Sequence, residues 1–137
     1  MKPVIIFGIG ELAEVAHFYF NNDKYKIAAF TVDSSYLSKQ EFCGLAVVPF
    51  EEIENLYPPA KFDMFVAVGY TKLNQIRAIK CEEAKVKGYK LISYVSSKAT
   101  TWNDLTIGEN CFILENNIIQ PFVKIGNNVI IWTGSNI

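Results

Sequence analysis

Isoleucine stands at positions 107, 113, 119, 125, 131 and 137, six times at a spacing of six without a miss. The chain holds sixteen isoleucines among 137 residues, so a run of six in fixed register marks a repeat rather than an accident. Two places before each isoleucine come Leu105, Cys111, Asn117, Val123, Val129 and Ser135, mostly small or medium-sized and mostly apolar. The segment Ile107-Gly108-Glu109-Asn110 returns as Ile125-Gly126-Asn127-Asn128, eighteen residues on. Eighteen residues therefore make one turn of a three-sided parallel β-helix, with one hexapeptide on each side. Isoleucine should point inward and stack on its equivalent one coil away, while glycine and asparagine supply the left-handed backbone angles that corners need. An ordinary β-sandwich strand predicts alternation by two with irregular turns, which a strict period of six does not fit.

The first two thirds follow a different rhythm. Val4 to Phe7 is a short β-prone run halted by Gly8-Ile9-Gly10, and Glu11 to Phe20 then spaces Leu12, Val15, Ala16 and Tyr19 as a helix would. Strands are expected over 27–32 and 44–48, and Tyr57-Pro58-Pro59 breaks the short stretch that follows. Asp63 to Val68 is almost continuously apolar, the mark of a strand covered on both faces of a parallel sheet. A helix is expected over 72–87, closed by Gly88 in a left-handed cap, and a last strand over 91–95. Strands alternating with helices imply right-handed crossovers and a small doubly wound α/β sheet.

Composition excludes several classes of partner. Thirteen Lys and Arg against fourteen Asp and Glu leave a net charge of −1, which offers no basic field for nucleic acid or an anionic membrane. The longest apolar runs fall far short of the roughly 20 residues that span a bilayer. The N-terminus lacks a signal-peptide cleavage pattern, so a cytoplasmic location is expected. Cys43, Cys81 and Cys111 are odd in number and have no C-x-x-C spacing, so they read as reduced thiols with no metal site.

Gly8-x-Gly10-x-x-Ala13, after a strand and before a helix, fits a dinucleotide-type fingerprint, and Asp33 lies twenty residues past Ala13, where a carboxylate accepts ribose hydroxyls. The alternative is a tight turn with a surface aspartate. Glu11 suits the helix dipole but repels a phosphate there, so the base and ribose are expected near Asp33 and Gly69, with the diphosphate turned away. Tyr70, Lys72, Asn74 and Arg77 follow the Val68-Gly69 strand end, at the sheet edge where α/β proteins bind ligands. Lys72 or Arg77 would neutralise a diphosphate, or would simply be solvated helix charges. His17, the chain's single histidine, falls on the first helix with no carboxylate spaced to orient it, which favours a structural or surface role over catalysis. Cys111 should be an inert buried thiol. Trp132, eighteen residues after Leu114, should face outward with it, because both follow an inward isoleucine.

Ile5-Ile6-Phe7-Gly8-Ile9-Gly10, Val68-Gly69-Tyr70 and Ile107-Gly108-Glu109-Asn110-Cys111-Phe112-Ile113 together resemble the bacterial sugar acyltransferases of the sialic acid O-acetyltransferase and nucleotide-amino-sugar N-acetyltransferase group, over essentially the whole chain. The resemblance implies an α/β Rossmann-like subdomain over 1–95 that binds the nucleotide-linked sugar. It implies next the first two to three coils of a left-handed parallel β-helix over 96–137. It further implies a homotrimer packed through the β-helix, with acetyl-CoA lying between subunits and an acetyl group passing to the sugar in surface glycan biosynthesis. The general base in such enzymes is a β-helix histidine, here expected just beyond Ile137. The 137-residue chain by itself is therefore expected to be inactive. An unfinished coil would also leave an apolar cross-section lined by Ile125, Val129 and Ile131, which predicts self-association. Two other readings stand beside this one: a non-catalytic nucleotide-sugar-binding or assembly module, and, from the glycine fingerprint alone, an NAD-binding oxidoreductase fragment. The hexapeptide repeat argues against the last, since dehydrogenase chemistry has no use for it.

Overall fold

The computed structural model describes residues 1–69 and 75–137. It divides into two compact units, Met1–Leu91 and Ile92–Ile137.

The first unit is a five-stranded sheet with helices. Its elements are β1 (Val4–Phe7), α1 (Glu11–Asn21), β2 (Ile27–Val32), β3 (Glu41–Phe42), β4 (Leu45–Pro49), α2 (Ile53–Leu56), β5 (Asp63–Val66) and α3 (Gln75–Val86). A 3₁₀ turn, Phe50–Glu52, leads into α2. Strand order is β3-β4-β2-β1-β5, parallel throughout except for β3 against β4. All four residues of β1 and of β5 are buried, as strands covered on both faces must be. Alternate residues divide between two cores. Ile5, Phe7, Met64 and Val66 pack with Phe50, Ile53, Cys81 and Ala84. From the other face Phe65 meets Phe20 of α1 edge-on at 5.1 Å.

Except for the last strand, the expected strands and helices appear with small shifts at their ends, and residues 72–74 of the expected second helix lie outside the described residues. Gly88 caps α3 in the left-handed region at φ +101°, with the Tyr89 N–H reaching back to the Ala84 carbonyl. Strand β3 was not expected. It forms a hairpin with β4 through Cys43 (φ 51°) and Gly44 (φ 78°), the two positive angles of a type I′ turn. The strand expected over 91–95 is split. Leu91 bridges to Met64 in the first unit, whereas Tyr94–Val95 (β6) pairs with a strand of the second.

The second unit coils. Strands β7 (Thr106–Ile107), β8 (Phe112–Ile113), β9 (Lys124–Ile125) and β10 (Ile130–Ile131) each lie parallel to the strand one coil away. Every pair is offset by eighteen: Ile107 on Ile125, Val95 on Ile113 on Ile131, and Thr100 bridged to Ile118 and on to Asn136. Cys111, Ile113, Ile119, Ile125 and Ile131 form the buried core, flanked by Leu105, Ile107, Val123 and Val129. Asn117 is also fully buried, and it is satisfied there. Its amide donates to the Leu114 and Ile131 carbonyls at 2.8 and 3.2 Å and accepts the Ser135 N–H at 2.8 Å.

Left-handed residues mark the corners at the same period of six: Asn110, Asn116, Phe122, Asn128 and Gly134. The glycines of the Ile-Gly pairs are thus not the corner residues. Gly108 is needed because a Cβ there would sit 2.8 Å from the carbonyl group of Gly126, one coil away. Phe122 is the anomaly among the corners, since a bulky side chain at φ +68° costs roughly 1–2 kcal/mol.

Candidate functional site

Parallel pairing brings the carboxyl ends of β2, β1 and β5 side by side, so Gly8, Asp33 and Gly69 lie along one sheet edge. The chain runs from β1 toward β2 and β4 in one direction and adds β5 on the other flank of β1, which makes the β1 edge a reversal point of the strand order. Gly8 is held tightly: its N–H donates to Thr31 O at 2.9 Å, and at φ +121° a Cβ would lie 2.6 Å from Ala67 O. Gly10, which caps α1, and Gly69 have open space where a Cβ would stand. A backbone open in this way lets a ligand approach closely.

Asp33 is not a bare carboxylate. The Lys80 ammonium of α3 donates to both of its oxygens, at 2.9 and 2.7 Å, and to Glu83 at 3.1 Å. Lys80 also lies over the Phe7 and Phe50 rings at about 5.5 Å. Glu51 accepts the Ser34 N–H and hydroxyl at 3.0 Å, and Lys87 donates to Glu54 at 2.9 Å. These groups line a groove of about 960 Å³ between α3 and the Phe50–Leu56 segment, with Phe50, Ile79 and Val86 as its apolar part. Asp33, Glu51, Glu54, Glu82 and Glu83 there outnumber Lys80 and Lys87, so the groove itself repels a diphosphate.

The expected cations fare differently. Arg77 is completely buried in α3, so it is neither a solvated charge nor accessible to a diphosphate. Tyr70, Lys72 and Asn74 lie outside the described residues. Lys80 was missed, because a partner 47 residues away in sequence leaves no local signal; the Lys80, Glu83, Lys87 spacing on one helix face is its only trace.

Burial pushes the Lys80 ammonium down, but its bonds to Asp33 and Glu83 outweigh this and hold it above its ordinary value of 10.5. Glu54 is held below its ordinary 4.5 by its own backbone N–H and by Lys87, and Glu51 below the same value by its own backbone N–H and by Ser34. A raised ammonium contributes stability below pH 10.5 that fades as pH rises through the folded value. Depressed carboxyls contribute above pH 4.5 and lose that contribution as pH falls through theirs. Lys80→Met should therefore lower stability at neutral pH by about 1 kcal/mol and remove the Lys80 share of the alkaline pH dependence, leaving that of Tyr25 and Tyr89, whose phenols burial holds above their ordinary value of 10, as measured by urea titration across pH 4 to 11.

Other residues group less. His17 is half-buried beside Phe30, with Asn21 within 2.8 Å of its Nε2, and burial lowers its pKa. Cys111 is buried, its Sγ donating to Gly126 O at 2.9 Å. Trp132 is 46 % exposed as expected, but Leu114 is buried, against the expectation that both face outward. Among the described residues no His, Cys, Asp or Glu group is placed to hold a metal ion. No helix among them is long and apolar enough to cross a membrane.

Residues 104–137 match the bacterial transferase hexapeptide (six repeats) family. No curated protein matches the chain. Solved structures do. One is a histidine-to-asparagine mutant of perosamine N-acetyltransferase from Caulobacter crescentus in complex with CoA and GDP-perosamine, at 22 % identity and TM-score 0.86, covering all of this chain and 63 % of that one. The acetyltransferase domain of PglB from Neisseria gonorrhoeae, in complex with acetyl coenzyme A, is 21 % identical with TM-score 0.79, covering 99 % of this chain and 64 % of the other. WeeI from Acinetobacter baumannii is 12 % identical with TM-score 0.71, covering 100 % and 64 %. The chain thus spans less than two thirds of the length of each. Together the repeat and these neighbours imply that the coil is a left-handed parallel β-helix, a known exception to the usual crossover hand. The expected resemblance is found: residues 104–137 match the bacterial transferase hexapeptide family, and the chain is similar in fold to these solved sugar acetyltransferases.

Proposed function

We propose that this chain is the sugar-nucleotide-binding and β-helix-initiating part of an acetyltransferase that works in the cytoplasm on a nucleotide-linked amino sugar for surface glycan synthesis. The single observation that carries this reading is the sheet edge where Gly8, Gly10, Asp33 and Gly69 gather, in a chain that continues into hexapeptide coils. The first unit, read as Rossmann-like, takes the base and ribose against this edge. Asp33, already oriented by Lys80, accepts the ribose hydroxyls. The diphosphate turns away from Glu11 and from the acidic groove. In the full reaction the sugar amine attacks the thioester carbonyl of acetyl-CoA. A C–N bond forms, the C–S bond breaks, a general base takes the amine proton and the CoA thiol departs. The β-helices of a homotrimer would frame that step.

Calorimetry against UDP-, GDP-, CMP- and dTDP-linked sugars tests the reading. Saturable binding of one nucleotide class is expected, and Asp33→Asn should weaken it roughly tenfold or more, since hydrogen bonds to charged groups contribute about 1.5–3 kcal/mol. Absence of binding by every member of the panel would overturn it. The module reading, binding without transfer, draws on one fact: the single histidine sits on α1 in the sheet unit. Acetyl transfer from acetyl-CoA by the purified 137-residue chain would exclude that second reading.

A further inference from the structure

The bond between Lys80 and Asp33 fixes which acceptor positions Asp33 can still offer. The Lys80 ammonium lies 2.9 Å from one carboxylate oxygen and 2.7 Å from the other, so it takes one position on each. A carboxylate holds about four such positions, two to an oxygen. Among the described residues no second group donates to the Asp33 side chain. One position therefore stays open on each oxygen, side by side, on a side chain that is one quarter exposed. Lys80 itself is held from several directions. Glu83 accepts from it at 3.1 Å, and the Phe7 and Phe50 rings, both buried, lie 5.5 and 5.4 Å from its nitrogen. An ammonium gripped by two carboxylates and two rings keeps one position, and the Asp33 carboxylate it bonds is kept from turning.

Two adjacent acceptors match two adjacent donors. Ribose carries its 2′ and 3′ hydroxyls on one face as a cis-diol, and each can donate to one oxygen of a carboxylate presented edge-on. A 2′-deoxyribose fills one position and leaves the other oxygen short of a partner in a site closed to water by the ligand. The ammonium also offsets the Asp33 charge, which would otherwise repel the diphosphate of the same ligand. We propose that Lys80 is a positioning residue that makes Asp33 a reader of the ribose cis-diol, so that the chain takes ribonucleotide-linked sugars and rejects 2′-deoxyribonucleotide-linked ones. The proposal rests on the nucleotide reading of the sheet edge given above and narrows its ligand class.

Calorimetry with UDP, GDP and CDP, each beside its 2′-deoxy and 3′-deoxy counterpart, tests this on the unaltered chain and on Lys80→Met, with thermal melting to follow folding. In the unaltered chain, loss of either hydroxyl should weaken binding by about tenfold or more. In Lys80→Met the carboxylate turns freely and carries its charge uncompensated, so ribonucleotide binding should fall and most of the preference over the deoxy forms should vanish with it. A lysine that only stabilised the fold would weaken both kinds of nucleotide by the same factor, so a preference that survives at full size in Lys80→Met overturns the role given to Lys80. Equal binding of ribo- and deoxynucleotides by the unaltered chain overturns the proposal and leaves the nucleotide reading in place. Absence of binding by every nucleotide overturns the two together.

Discussion

Gly8→Ala is expected to destabilise the first unit by about 3 kcal/mol or more and to abolish sugar-nucleotide binding. Two costs add. An alanine at φ +121° occupies a region L-residues rarely enter, at about 1–3 kcal/mol, and its Cβ meets Ala67 O at 2.6 Å, where backbone on both sides prevents relief. The strain falls on the junction of β1 and β5, the edge assigned to the ligand. Gly10→Ala is the counterpart. With φ −96° and open space at its Cβ, it should change stability by no more than about 0.5 kcal/mol. If the nucleotide approaches that backbone, Gly10→Ala should weaken binding all the same. Urea unfolding and calorimetry on both variants separate the two effects.

Ile113→Ala should destabilise the β-helix by about 2–5 kcal/mol. Ile113 is completely buried between Val95 and Ile131, so truncation removes contacts to the coil on either side and leaves a cavity that rigid neighbouring coils cannot close. Ile118→Ala, five residues on and nearly half exposed, should cost little. Denaturant titration would show whether the isoleucine columns, rather than isoleucine content, hold the coil together.

The coil was legible because its period is set by geometry that every repeat must obey, and a register of six is not the alternation by two that an ordinary strand leaves. The buried strands were legible because Val4–Phe7 is wholly apolar and Asp63–Val66 is apolar after its first residue, on both faces. The β3–β4 hairpin escaped because Cys43-Gly44 replaces the usual Asn-Gly signal. Asp33 was legible from its distance to the glycine motif, but its partner Lys80 was not, since the pair is formed by the fold and not by neighbours in sequence. Arg77 misled because a helix charge after a strand end looks solvated unless the packing of that helix is known. Leu114 misled because alternation gives the direction of a side chain and not what covers it.

The offset of eighteen in every pairing of the coil constrains how such a chain can change length. A single-residue insertion within a side would rotate all later isoleucines out of their columns, whereas a whole turn could be added or lost without disturbing any stack. Insertions short of a turn could be absorbed only as loops bulging from the corners, so growth of this domain by duplication should proceed in complete turns.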